Sequence, residues 1–160
     1  MWLRFLHVAS AMWFIGGILA RQIVRAYAKR TDDVRRFATL SEAAGRIEST
    51  MVIPGNLAVI VFGVILGWII KAPIFGFLQG ASQNWLLVSN LLLLVGVLNV
   101  PLIFLPRGKK FEAALSDALA KGQMTPELRT HLDDPLVRLA PSYEIVSMLV
   151  VVFLMVFKPF

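Results

Sequence analysis

Cysteine is absent from the 160 residues, histidine occurs only twice, and charged side chains make up just 16%. Without cysteine there are no disulfides, no thiolate metal centres and no cysteine nucleophile. A copper or zinc site would lack strong ligands, since the apolar stretches add only weak thioethers such as Met12 and Met148 to one histidine. The low charge excludes more. Soluble domains are nearer a quarter charged, so bulk water is a poor solvent for most of this surface. No nucleophile elbow, phosphate-binding glycine loop, zinc-protease helix, EF-hand loop or dinucleotide fingerprint is present either. Most soluble-enzyme chemistries are thereby disfavoured; no catalytic residue and no metal site is expected, and the reading leans away from an enzyme.

Hydrophobic residues fill the space those absences leave, at 58% of the chain. They collect in four runs, about 3–24, 51–70, 85–105 and 142–158. About 20 residues of helix cross roughly 30 Å of hydrocarbon. The expectation is therefore an all-α, four-helix transmembrane bundle in a single domain. The fourth run is short, about 15 residues from Tyr143 to Phe157, if it starts after Pro141. A secretory signal peptide fits the first run poorly, because the basic cluster follows it rather than precedes it.

Bases are unevenly spread. Arg21, Arg25, Lys29, Arg30, Arg35, Arg36 and Arg46 follow the first run, and Arg107, Lys109, Lys110, Lys121, Arg129 and Arg138 follow the third, whereas the segment after the second has only Lys71. The positive-inside rule puts the two basic segments in the cytoplasm and both termini outside. It also accounts for the net charge of +6, so the lipid bilayer, and no nucleic acid, is the expected partner. Aromatic residues agree, with Trp2, Phe5, Trp68, Phe75, Phe77, Trp85, Phe157 and Phe160 at the outer boundary and Tyr27, Phe37, Phe104, Phe111 and Tyr143 at the inner.

Short amphipathic helices are expected in the two cytoplasmic loops. Thr31 followed by Asp32 and Asp33 reads as an N-cap and first turn, opening a helix that runs into the second span. Pro54 implies a kink between Glu48 and Pro54. In the second loop, Lys109 to Lys121 is a helix closed by Gly122, and Thr125-Pro126-Glu127 opens another that ends before Pro135.

Candidate sites lie along these spans. His7, near the outer end of the first span, is the one histidine at a membrane boundary; His131 falls in the second cytoplasmic loop. At 100° per residue, Arg21 and Arg25 share the face of His7. Fourteen residues, or about 21 Å, separate His7 from Arg21, too far for one small ligand. Arg21, Arg25, Arg46, Glu48 and Glu144 stand at one depth at the inner end and are expected to form an ion-pair layer or to receive an anion. Gly16, Gly17, Gly63 and Gly67 are sites for close helix contact, with Asn56, Asn90 and Asn99 as interhelical glue.

The segments LHVASAMWFIGG in the first span, VIPG opening the second, TPEL followed by DP in the second basic segment, and the closing MVFKP together resemble a family of predicted bacterial integral membrane proteins, domain of unknown function 2269. That likeness covers nearly the whole chain and implies a bacterial inner membrane as its location, with no assigned activity. A histidine followed about eight residues later by aromatic-Gly-Gly is also similar to the first span of CopD copper-resistance proteins and HemJ-type protoporphyrinogen oxidases, which implies haem or porphyrin held at His7. Three functions remain open: a membrane subunit that forms homo-oligomers or joins a larger complex, a haem- or porphyrin-binding redox protein using His7, and a transporter or anionic-lipid-binding protein.

Overall fold

The computed structural model describes residues 1–160, the side chain of Ile103 excepted. It is all-α: α1 (Trp2–Ala28), α2 (Val34–Ile47), α3 (Ile53–Ile69), α4 (Trp85–Asn99), α5 (Leu105–Lys121), α6 (Pro126–Leu132) and α7 (Pro135–Phe157). Four helical stretches are long and apolar enough to cross a membrane, namely Trp2–Ala28, Val34–Ile69, Trp85–Leu102 and Pro126–Phe157. They form two hairpins. In the first, α1 packs antiparallel to α3 with α2 beside it; in the second, α4 packs on α7. Between hairpins the spans meet where α1 touches α7, and among the described residues no Cα of α3 comes within 8 Å of α4 or α7.

The helix through Pro54 runs into the second span as expected, and the helix of the third span also runs on through Pro106, where its apolar run stops. Single π-helical turns, Glu48–Val52 and Val100–Phe104, join α2 to α3 and α4 to α5. Each is followed two residues later by a proline, Pro54 or Pro106. Proline lacks an N–H and crowds the carbonyl four residues back, here Thr50 or Leu102, which lies within the widened turn where the hydrogen-bond register has already shifted. The third span therefore continues into α5 without the expected loop. α7 likewise starts at Pro135, capped by the Asp134 carboxylate 2.8 Å from Leu136 N, and carries Pro141 inside it. Its length of 23 residues removes the shortness expected of the fourth span.

Local caps explain the other helix ends. Asp33, rather than Thr31, caps α2, accepting from the amides of Arg35 and Arg36 at 2.8 and 3.2 Å. Thr31 closes the preceding turn by accepting from Asp33 N. Gly122 ends α5 with φ +67°, a conformation that costs an L side chain. Thr125 accepts from Leu128 N to open α6.

The tightest core lies at one end of these stretches, in a cap where α2, α5 and α6 gather at the C-terminal end of α1. Ala28, Val34, Phe37, Ala114, Ala118 and Leu128 are buried there. Phe37, expected at the membrane boundary, is instead 2% exposed and meets Phe111 edge-on at 6.1 Å. The spans are the reverse, with Leu57, Leu102 and Val156 each more than 60% exposed. Water would penalise that surface and lipid does not. At the opposite, terminal end, Trp2, Trp68, Phe75 and Phe77 are exposed. There the Phe160 carbonyl accepts from the amides of Asn84 and Trp85, tying the end of the chain to the start of α4.

Candidate functional site

Arg21 is the most unusual side chain of the spans. It is 3% exposed, although arginine is almost never buried without a partner. α1 directs it at two other elements, and its guanidinium donates through Nη1 to Glu48 in the first π-helical turn and through Nη2 to Glu144 on α7. Gln22, next along α1, also donates to Glu144 at 2.8 Å. Arg25, one turn on, lies 3.8 Å from Glu48 and is 43% exposed. Two arginines thus face two glutamates and the cluster is neutral. A guanidinium whose fork is occupied by carboxylates has little left for an external anion. One donor, Arg21 Nε, is buried without a partner.

The structure brings Arg21, Arg25, Glu48 and Glu144 together and leaves Arg46 out. Arg46 bonds Glu42 at 2.8 Å on the exposed face of α2. Gln22 went unremarked in the sequence, although its place beside Arg21 was a signal. The cluster is the point where the two hairpins join within the spans, and chemically it is a clasp rather than an open receptor.

His7 lies at the other end of the α1–α3 contact. Its Nδ1 is 3.2 Å from the Val59 carbonyl, and because a carbonyl only accepts, Nδ1 is the donor of that bond. The imidazole fills the notch left by Gly63, where an added Cβ would lie 3.0 Å from Cε1. A carbonyl bond of this kind orients metal-bound imidazoles, and equally satisfies a buried histidine.

The glycines divide sharply. A Cβ on Gly17 would come within 2.8 Å of Met51 Cβ, and one on Gly55 within 3.0 Å of the Phe14 backbone. Gly55 was not among the expected contact sites, though its place one residue after Pro54 was visible. A Cβ on Gly67 would lie 3.4 Å from Ile74 Cδ1, and one on Gly16 would meet nothing within 4 Å. Gly63 and Gly67 therefore pack inside the subunit. Of the asparagines, Asn90 donates to Ile74 O at 3.2 Å, Asn56 Oδ1 is buried without a partner, and Asn99 is half-buried.

A family described as predicted integral membrane protein (DUF2269) matches residues 1–159. No curated protein and no solved structure matches the chain.

Proposed function

Since the chain belongs to that family of predicted integral membrane proteins, we propose that it works inside the bilayer as a small polytopic subunit, associating with further copies of itself or with a larger membrane complex, and that it carries out no reaction of its own. One observation carries this reading: among the described residues the two hairpins meet within the spans only where α1 touches α7, so the flanks of α3 and α4 are left uncovered by each other. On α4 a Cβ at Gly96 would meet nothing within 4 Å, which leaves room for another helix to approach closely. The cap, with its many bases, faces the cytoplasm of a bacterial cell and both termini the far side, a sidedness supported by Arg4, Lys71 and Lys158 being the few bases at the terminal end.

The native lack of cysteine makes the test clean. Single cysteines at Gly96 on α4 and at Leu57 on α3 are expected to cross-link in native membranes, and native mass in lipid nanodiscs is expected to exceed one chain. Monomer throughout, with no co-purifying subunit, would overturn the proposal.

A second reading, haem or porphyrin at His7, is favoured by the Nδ1 bond to Val59, which leaves Nε2 as the ligating nitrogen. Purified protein supplied with haem would then show a Soret band that His7→Ala abolishes. No band in the wild type, or an equal band in the variant, removes this reading.

A further inference from the structure

Beyond that function, a polar pocket of about 260 Å³ opens on the cap between the end of α1, α6 and the start of α7, lined among others by Lys29, Thr31, Asp32, Arg129, Asp133 and Arg138. Asp32 is engaged by Arg129 at 2.9 Å. Among the described residues Lys29 and Arg138 form no salt bridge, so two cations face the pocket with only Asp133 left to oppose them. Three bases against two acids leave the lining at +1. We propose that this pocket binds a phosphate group carrying one negative charge.

Size, charge and depth agree with that ligand. Sites for drug-sized molecules run from about 300 Å³ upward, so this one suits a headgroup rather than a large metabolite. Arginine forks and a lysine ammonium are the usual phosphate partners, and the Thr31 hydroxyl is a further donor. A phosphodiester monoanion neutralises the lining, whereas a dianion would leave it negative. Depth is read from the helices. Lys29 is eight residues beyond Arg21 on α1, about 12 Å, and Arg138 is six residues before Glu144 on α7, about 9 Å. Headgroups occupy roughly 5–7 Å on each side of the hydrocarbon. The pocket therefore borders the headgroup layer and the water beyond it, and can be reached by a phospholipid headgroup or by a soluble phosphate. The Arg21 cluster, expected from sequence to receive an anion, is neutralised internally, and the unpaired cations lie farther out.

The test titrates the detergent-solubilised full chain with phosphatidylglycerol and with phosphatidylcholine under native mass spectrometry, and follows thermal unfolding with inorganic phosphate. Phosphatidylglycerol is expected to be retained over phosphatidylcholine, and Lys29→Gln/Arg138→Gln to weaken its retention about tenfold, the worth of one lost charge-assisted bond. Arg35→Gln/Arg36→Gln, which removes the same charge from the exposed face of α2, is expected to change retention less than twofold. Lys29→Arg keeps the charge and is expected to keep binding, which separates a site defect from misfolding. Stabilisation by inorganic phosphate, lost in Lys29→Gln/Arg138→Gln, without selective lipid retention would keep the phosphate site and assign it to a soluble ligand. Equal losses in the two double variants, or no response to either probe, would overturn the proposal.

Discussion

In the first hairpin the helices touch where side chains are missing. Gly17 on α1 receives Met51 and Val52, Gly55 on α3 receives the backbone of Phe14, and Gly63 receives the ring of His7. In the second hairpin single contacts tie them: Tyr143 on α7 donates to Leu92 O in the middle of α4 at 3.1 Å, and at the terminal end the Phe160 carbonyl accepts two amides at the start of α4 and Lys158 lies 5.3 Å from the centre of the Trp85 ring. Close backbone contact gains dispersion along a whole interface, whereas scattered polar ties fix direction with less packing. One hairpin is therefore packed along its length and the other is held at points. The Arg21 clasp joins them.

Breaking the clasp should have the largest effect. Arg21→Ala leaves Glu48 and Glu144 facing each other without a cation. Removing one partner of a buried ion pair costs about 3–5 kcal/mol, and the 25–30% exposure of these glutamates places the expected loss toward the lower end. Unfolding in mixed micelles measures it. Arg21→Met combined with Glu48→Gln and Glu144→Gln is expected to recover most of the loss, because no charge is then stranded.

Next comes the packing of the first hairpin. Gly17→Ala and Gly55→Ala force a methyl into occupied space and are each expected to cost about 1–3 kcal/mol. Gly16→Ala, with nothing within 4 Å, is expected to gain up to about 1 kcal/mol through helix propensity. If all three behaved alike in the same unfolding assay, the close packing ascribed to the first hairpin would fail.

Tyr143→Phe tests the second hairpin and is expected to cost about 0.5–1.5 kcal/mol, the net worth of one hydrogen bond. Faster exchange of α4 amides than of α3 amides would show the looser pairing directly. The smallest effects belong to two lysines that hold left-handed backbone, Lys71 at φ +54° and Lys158 at φ +47°. Lys71→Gly is expected to raise stability by about 0.5–1 kcal/mol, since glycine takes that conformation without strain. Lys158→Gly is expected to be near neutral, because it also gives up the contact with Trp85, worth about 0.5–1 kcal/mol.

Signals that are local in the chain were legible beforehand. Four apolar runs and low charge determined an all-helical membrane protein, because a bilayer admits only backbone that satisfies its own hydrogen bonds. Caps at Gly122 and Thr125 were readable because their chemistry acts within a few residues. Tertiary structure decided what depends on how helices rotate and meet. Arg21 and Arg46 are both arginines near the end of an apolar run, yet one closes a three-element clasp and the other bonds Glu42 in the open. Phe37 looked like a boundary aromatic until α5 and α6 covered it. Pro106, where the third apolar run stops, became a passage, since a π-helical turn upstream absorbs the missing hydrogen bond. Composition and caps act through solvent and neighbouring peptide groups, which the sequence contains. Partners distant in the chain are chosen by packing, which only the fold supplies.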